Sequence, residues 1–152
     1  MAVTSVSLPI QRLDRELPLP EYARPGDAGL DLCSRVSLML AAGDRGAVPT
    51  GVAIAIPPGH AGLVLPRSGL ALRHGVTVVN SPGLVDSGYR GELIVALINL
   101  GDDPYEIRRG DRIAQLVVVP FAAANVIVVD ELPASPGGAY ARHIGGFGHS
   151  GA

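Results

Sequence analysis

The chain has 152 residues, of which 47% are apolar, and its formal net charge is -2. This length fits one domain with a single core, and the slightly acidic charge excludes the general basic surface of a nucleic-acid-binding protein. No apolar run approaches the roughly 18 residues that a membrane span needs. Either a subunit interface or a very tightly packed core must bury the abundant apolar surface.

All twelve Lys or Arg residues are arginines, so a side-chain cation that holds an anion here must be a guanidinium, which binds phosphate through two hydrogen bonds. Cys33 is the only cysteine, which excludes an internal disulfide and predicts a small buried apolar residue. The first residues carry no basic-then-apolar signal segment. Together these features predict a cytoplasmic protein.

The 20 glycines and 13 prolines divide the chain into short runs rich in Val, Ile and Leu, which is the pattern of an all-β protein. The predicted strands, in chain order, are 3–8, 30–33, 45–48, 52–56, 61–65, 76–79, 93–99, 105–107, 113–120 and 126–129. Residues 68–73 predict one short helix, with Ser68 able to cap its first turn. Residues 51–56 and 93–98 are apolar on both strand faces, which favours a sandwich or jelly roll whose outer face meets another subunit.

Asp31 lies within an apolar strand, where a lone carboxylate needs a cation or water beside it. One interpretation is a Mg²⁺ ion, which keeps several waters and takes further oxygens from phosphates. The other is an ion pair with an arginine such as Arg24.

Arg67, Ser68 and Gly69 present a guanidinium, a hydroxyl and a backbone N–H in succession, which are three kinds of phosphate ligand. An ordinary helix N-terminus beside a solvent-exposed arginine explains the same residues equally well.

Residues 80–92 contain three glycines and a proline, and they predict a tight hairpin whose backbone can approach a planar ligand closely. Asp86 and Tyr89 flank its bend, and Asp86 is placed to take a proton from water. The alternative is a β-turn with a solvated Asp86 and a partly buried Tyr89.

Gln115 is the sole polar residue in the run 113–119, so a ligand or the neighbouring backbone must satisfy its amide. Asp111 and Arg112, at the preceding turn, predict a structural ion pair.

The chain changes character after residue 132, which divides it into a β core over 1–132 and a tail over 133–152. Residues 133–139 predict a flexible linker, and 145–151 are too rich in glycine to form a strand. The tail is interpreted either as a disordered terminus or, because it contains Arg142, two histidines and Phe147, as a functional arm.

Together and in this order, the five segments around Asp31, Arg67, Asp86, Gln115 and Phe147 closely resemble the five motifs of the trimeric dUTPase family, the dUTP pyrophosphatases. The resemblance implies a jelly-roll-like β barrel and a homotrimer with three shared active sites. It also implies Mg²⁺-dependent hydrolysis of dUTP to dUMP and pyrophosphate, which lowers dUTP and supplies dUMP for thymidylate synthesis. The C-terminal arm of one subunit would close over a site formed by the other two.

The resemblance assigns Asp86 to the carboxylate that deprotonates the attacking water, and Asp31 to a contact with Mg²⁺ through water. The implied substrate contacts are Arg67, Ser68, Gly69 and Gln115 on the phosphates, Asn80, Gly83, Leu84, Val85 and Ile94 around uracil, Tyr89 under the deoxyribose, and Arg142, Phe147, Gly148, His149 and Ser150 from the arm. Two positions depart from the family pattern: His143 follows Arg142 where many members have Gly, and His149 stands where Ser is frequent. The path of the arm around 143–144 is therefore left open.

Two alternative functions share this fold. The dCTP deaminases resemble the chain in the Arg-Ser pair and the central segment, but they place a catalytic Glu in the following strand, where this chain has Ala96. A non-catalytic nucleotide-binding jelly roll would not need Asp86 and Arg142 as well as the carboxylate for Mg²⁺. The predicted activity is therefore dUTP hydrolysis.

Overall fold

The computed structural model describes residues 5–134, which form ten strands and one helix. The strands are β1 (Ile10–Arg12), β2 (Leu30–Cys33), β3 (Leu38–Leu40), β4 (Arg45–Ile54), β5 (His60–Leu65), β6 (Val76–Val78), β7 (Gly83–Val85), β8 (Glu92–Asn99), β9 (Tyr105–Ile107) and β10 (Arg112–Pro120). The helix α1 (Ser68–His74) lies between β5 and β6. The predicted all-β class is confirmed.

The strands form two four-stranded sheets and one two-stranded ribbon, all antiparallel. Sheet A has the order β1-β4-β8-β6, sheet B has the order β2-β10-β5-β7, and the ribbon pairs β3 with β9. One apolar cluster joins the inner faces, with Leu32 and Leu116 from sheet B against Val95 and Leu97 from sheet A. Over residues 5–134 the hydrogen bonding does not close into a barrel, so the jelly-roll-like barrel stays a prediction.

Strand β8 shows how the sequence pattern produces this packing. Leu93, Val95 and Leu97 are buried, whereas Ile94 between them is 56% exposed, as the two-residue period of a strand requires. Asn99 at the end of β8 is fully buried, and its amide donates to the carbonyls of Leu40 at 3.0 Å and Asp103 at 2.8 Å. This satisfied polar group ties sheet A to the ribbon.

Four of the predicted strands differ substantially from the structure over residues 5–134. Residues 5–8 form no strand, and β1 begins only after Pro9, which has no N–H for a ladder; residues 3–4 lie outside the described range. The predicted strands 45–48 and 52–56 form one strand, because Gly51, with φ 74°, absorbs a register shift between Pro49 and Ala53. Residues 126–129 are exposed and form no strand, since β propensity without a partner strand is insufficient.

Helix α1 begins one residue earlier than a serine cap at Ser68 would place it. Arg67 occupies the N-cap position without a side-chain cap hydrogen bond, and Ser68 is the first helical residue. The helix ends at Gly75 in a left-handed conformation, and its N–H donates to the Ala71 carbonyl at 3.0 Å. No helix within residues 5–134 is long and apolar enough to cross a membrane.

Candidate active site

The register of sheet B brings the first group of predicted site residues together. Gln115 on β10 lies opposite Asp31 on β2 and Leu65 on β5, so the three side chains share one face. Strand β5 then leads through Pro66 into Arg67 at the start of α1. The result is a cavity of about 480 Å³, here called the polar pocket. Its lining includes Asp27, Gly29, Asp31, Leu65, Arg67, Ser68, Gly69, Arg112, Gln115 and Val117.

Asp31 is held between two guanidinium groups. Its Oδ1 lies 3.3 Å from Arg67 Nε and its Oδ2 lies 3.0 Å from Arg112 Nη1, while Arg67 Nη1 also donates to the Arg112 carbonyl at 3.0 Å. The interpretation of Asp31 as part of an ion pair with arginine is therefore confirmed, but its partners are Arg67 and Arg112 rather than Arg24. This cluster has one more positive than negative charge, and its arginines stay partly exposed. It can accept an anion such as a phosphate group.

The predicted ion pair between Asp111 and Arg112 is also wrong. Arg112 turns to Asp31, and the Asp111 carboxylate accepts the Arg108 N–H at 2.8 Å within the turn before β10. A short acidic side chain that accepts an N–H three residues earlier is typical of a turn. Sequence reasoning therefore missed Arg112 as a pocket residue, although its place directly before the strand of Gln115 was a signal for it.

The sequence left open whether a ligand or the neighbouring backbone satisfies the Gln115 amide, and the structure shows that the backbone satisfies part of it. Its Nε2 donates to the Pro66 carbonyl at 3.0 Å, so the backbone satisfies this donor. Gly29 has no side chain and lies against the amide oxygen. Because the backbone of Pro66 fixes one end of this amide, its position at the polar pocket is set before any ligand binds.

The second group of predicted residues lines a separate cavity of about 240 Å³, here called the apolar pocket. Its lining residues are Val64, Asn80, Gly83, Leu84, Val85, Asp86, Tyr89, Leu93 and Ile94. The predicted hairpin is wrong in one respect: β7 pairs with β5 in sheet B, whereas β8 pairs with β4 and β6 in sheet A. Residues 86–91 therefore cross from one sheet to the other, and the apolar pocket opens where the two sheets separate.

Asp86 and Tyr89 occupy the two ends of the turn at this pocket. The Tyr89 N–H donates to the Asp86 carbonyl at 3.1 Å, and Tyr89 Oη donates to the Glu92 carbonyl at 2.8 Å. Arg90 folds back and donates to the carbonyls of Ser87 at 2.6 Å and Tyr89 at 2.7 Å. The Tyr89 ring is 43% exposed and the Asp86 carboxylate is exposed, so both are accessible at the pocket mouth.

The two pockets do not share a lining residue in the described part of the chain. Val64 lines the apolar pocket and Leu65 lines the polar pocket. Successive residues of a strand point to opposite faces, so the pockets open on opposite faces of β5. Within one chain, the two groups of predicted site residues therefore lie in separate pockets.

Cys33 is half-buried rather than fully buried at the edge of sheet B. Burial raises the pKa of its thiol, and the nearby Asp31 carboxylate raises it further. A raised pKa favours the protonated thiol, and Cys33 lines neither pocket, so nothing in the described residues makes it a nucleophile of the site.

No group of three or more His, Cys, Asp or Glu side chains within residues 5–134 could hold a metal ion by itself. A cation at the polar pocket would therefore depend on Asp31 and on oxygens that a ligand supplies. The predicted arm residues Arg142, Phe147, Gly148, His149 and Ser150 lie outside the described residues.

A β protein with an arginine-lined pocket, and with an apolar pocket beside a carboxylate, is typical of a protein that binds a phosphorylated ligand with a planar group. A sequence profile of the dUTPase family matches residues 15–151. The chain belongs to the dUTPase family. The matched range contains every predicted site residue, including those that lie outside the described residues.

Curated relatives carry the name deoxyuridine 5'-triphosphate nucleotidohydrolase, which denotes a dUTP diphosphatase. The one from Thermobifida fusca is 53% identical over 97% of this chain and 80% of its own length. The one from Leifsonia xyli is 54% identical over 88% of this chain and 85% of its own length.

Solved dUTPase structures share the fold at lower identity. The dUTPase from phage phi11 of S. aureus is 26% identical with a TM-score of 0.78, and the match covers 84% of this chain and 98% of that one. A mutant of that phage enzyme is described as coordinating a structural Mg(II) ion. A mutant dUTPase of Staphylococcus bacteriophage 80alpha was solved with dUpNHpp.

Proposed function

We propose that this chain hydrolyses dUTP to dUMP and pyrophosphate with Asp86 as the general base. The observation that carries the proposal is the exposed Asp86 carboxylate at the mouth of the apolar pocket, in a chain of the dUTPase family. The pocket binds the nucleoside, and the carboxylate lies beside the point where the nucleoside continues into its phosphates.

Uracil would be recognised mainly by the backbone of β7. This strand is at the edge of sheet B, with β5 as its strand partner in the described part of the chain, so one side of its backbone is left without ladder partners. Unpaired N–H and C=O groups of Gly83 to Val85 can therefore bind the polar edge of the base. Asn80 and Ile94, which line the same pocket, would complete the walls and exclude the thymine methyl group.

Tyr89 would pack against the deoxyribose and exclude a ribose 2′-hydroxyl. The hydrogen bond from its Oη to the Glu92 carbonyl holds the ring in one position. A fixed ring can reject an added hydroxyl, whereas a freely rotating ring would move away from it.

The triphosphate would bind in the polar pocket. Arg67 supplies a guanidinium, Ser68 a hydroxyl and Gly69 a backbone N–H at the first turn of α1, and Gln115 lies across the pocket from them. Phosphate oxygens would compete with Asp31 for Arg67, since both are anions on the same guanidinium. Release from Arg67 would free one oxygen of Asp31 for a different partner.

The polar pocket has enough oxygen ligands for Mg²⁺ only when the substrate adds its phosphate oxygens. Asp31 supplies one carboxylate, and Mg²⁺ commonly binds to one or two carboxylates, phosphate oxygens and retained waters. Asp31 would hold the ion through a water. When bound, Mg²⁺ neutralises charge on the phosphate oxygens and orients the chain of phosphates.

A complete site would need more than one subunit, and we propose a homotrimer. The apolar and polar pockets open on opposite faces of β5, so the nucleoside pocket of one subunit would face the phosphate pocket of another. Residues 133–152 would form an arm that reaches a site formed by the other two subunits. Within the arm, Arg142 would bind the γ-phosphate, Phe147 would stack on uracil, and Gly148, His149 and Ser150 would close on the phosphates.

In the reaction, Asp86 would accept a proton from a water molecule as the water oxygen attacks the α-phosphorus in line with the leaving group. A new bond forms between this oxygen and the α-phosphorus, and the bond from the α-phosphorus to the bridging oxygen breaks. The electron pair of the broken bond leaves with pyrophosphate. Arg67 would stabilise the charge that develops on the leaving group.

The test measures release of pyrophosphate from dUTP, and of ammonia from dCTP, with Mg²⁺ present. We expect pyrophosphate from dUTP and no ammonia from dCTP. Asp86→Asn keeps the shape of the side chain but removes the base, so turnover should fall by a factor on the order of 10² to 10⁴. Asp102→Asn, at an exposed position outside both pockets, is the matched control. Wild-type turnover in Asp86→Asn would contradict the proposed role of Asp86.

A further inference from the structure

Glu92 lies where the active-site turn joins sheet A. It is the first residue of β8, between the turn that carries Tyr89 and the pocket residues Leu93 and Ile94. The side chain is 21% exposed and points toward β4 rather than into either pocket.

Strand β4 is irregular at the point where Glu92 meets it. The β4–β8 register shifts between Pro49 and Ala53, and Gly51 within this shift has φ 74°. A residue inside such an irregularity loses its regular ladder partner, and a buried N–H must then find another acceptor. Gly51 is buried, so its N–H has this requirement.

The Glu92 carboxylate supplies the acceptor. Its Oε1 accepts the Gly51 N–H at 2.7 Å, and Arg35 Nη1 approaches both carboxylate oxygens at 3.3 Å and 3.4 Å. Next to this contact, Thr50 Oγ1 donates to the Leu93 carbonyl at 2.8 Å. Side-chain hydrogen bonds therefore attach the first two residues of β8 to β4 where the ladder is interrupted.

The main chain of Glu92 makes the second connection. Its carbonyl accepts the hydrogen bond from Tyr89 Oη at 2.8 Å, so the position of the Tyr89 ring depends on where the start of β8 lies. One residue thus links the irregularity in β4, through its carboxylate, to the Tyr89 ring, through its carbonyl.

We propose that Glu92 is a positioning residue that sets the discrimination between deoxyribose and ribose by holding Tyr89. This inference rests on the proposed function, in which Tyr89 contacts the sugar. Without the carboxylate, the buried Gly51 N–H loses its acceptor, the first residues of β8 shift, and the carbonyl that holds Tyr89 shifts with them. The ring then yields to a 2′-hydroxyl.

The experiment compares kcat and KM for dUTP and for UTP in the wild type, Glu92→Ala and Glu92→Gln. In Glu92→Ala we expect KM for dUTP to rise about tenfold, a smaller change in kcat, and a fall of about tenfold in the preference for dUTP over UTP, because a buried donor is left unpaired. Glu92→Gln should restore most of the preference, since its amide oxygen can still accept the Gly51 N–H.

Glu106→Ala is the matched control, because it removes an exposed carboxylate paired with Arg108, away from both pockets. It should keep the wild-type KM and preference. If Glu92→Ala does not fold, Glu92→Asp replaces it: the charge stays, but the shorter side chain cannot span the distance to Gly51, and the same loss of preference is expected.

Two outcomes would overturn the inference. One is an unchanged preference for dUTP over UTP in Glu92→Ala or Glu92→Asp; the other is a lower melting temperature and active fraction with KM and preference unchanged, which would mean a merely structural role. Failure of the proposed function gives a different result, because the wild type itself would then release no pyrophosphate from dUTP.

Discussion

The Tyr89 ring occupies space that exists only because residue 91 is a glycine. A Cβ added to Gly91 would lie 2.6 Å from Tyr89 Oη and 2.9 Å from its Cζ, so in Gly91→Ala the ring must move. We expect kcat/KM for dUTP to fall about ten- to hundredfold, since a displacement of about 1 Å in a group that positions substrate can cost that much. Steady-state kinetics with dUTP would measure the loss.

Gly88→Ala is the control for this prediction. A Cβ added to Gly88 in the same turn would meet no atom within 4 Å. It should leave kcat/KM nearly unchanged, and both variants should melt close to the wild-type temperature because both positions are exposed. Equal kinetics in the two alanine variants would show that the ring position does not matter for binding.

Strands were predicted best from the sequence where an apolar run was long or clearly bounded. The bounds of β2 and β9 agree with the prediction, and β8 and β10 differ from it by one residue at the N-terminal end. The three-residue strands β1, β3 and β7 were missed, because their own residues show no clear strand pattern and each becomes a strand through its partner, β4, β9 or β5.

The residues of the candidate site were easier to predict than their arrangement. Residue types and their neighbours along the chain indicated a phosphate-binding turn and a carboxylate beside an aromatic ring. The position of Gln115 opposite Asp31 is set by pairing between strands about eighty residues apart, which no local pattern shows. The partners of Asp31 and the crossing of residues 86–91 between the sheets depend on the same long-range pairing.

The segment before β2 is attached to the turn before β10 through Asp14. Its carboxylate accepts hydrogen bonds from Arg109 at 2.6 Å and 3.1 Å, and Arg35 lies 3.5 Å away. The hydrogen bond from Arg109 lowers the pKa of Asp14 from 3.8 to about 2. A carboxyl group with a lowered pKa in the folded state stabilises the fold above its unfolded pKa, and this contribution is lost as pH falls through the folded value.

We therefore expect Asp14→Asn to lower the free energy of unfolding by a constant amount near neutral pH. The difference from the wild type should shrink as pH falls below 3.8 toward about 2. Urea unfolding at a series of pH values would measure it. The same substitution in an Arg109→Ala background should show a weaker pH dependence, and an unchanged pH dependence there would mean that Arg109 is not its cause.

The apolar residues of sheets A and B lie mainly in two places. One is the core between sheets A and B. The other is the outer face of sheet B, where Leu63, Leu65, Val117 and Val119 lie on the same side and stay partly exposed in the single chain. An apolar face of this kind favours contact with another subunit. The polar pocket lies on the same face, at Leu65 and Val117, so such a contact would bring a second chain to the edge of the phosphate site.

The division of the site between subunits predicts that two inactive variants restore each other. Light scattering should report three times the chain mass of 15.6 kDa, and Asp86→Asn and Arg67→Ala should each be nearly inactive alone. In trimers formed by co-expression, a site that takes its apolar pocket from the Arg67→Ala chain and its polar pocket from the Asp86→Asn chain contains both native residues. Random assembly in equal amounts should restore about a quarter of the sites, because each of the two roles is filled correctly half the time.

Mixing the separately purified trimers without subunit exchange is the control and should restore none. A monodisperse monomer with full activity, or co-expressed variants as inactive as each alone, would mean that a single subunit holds the whole site.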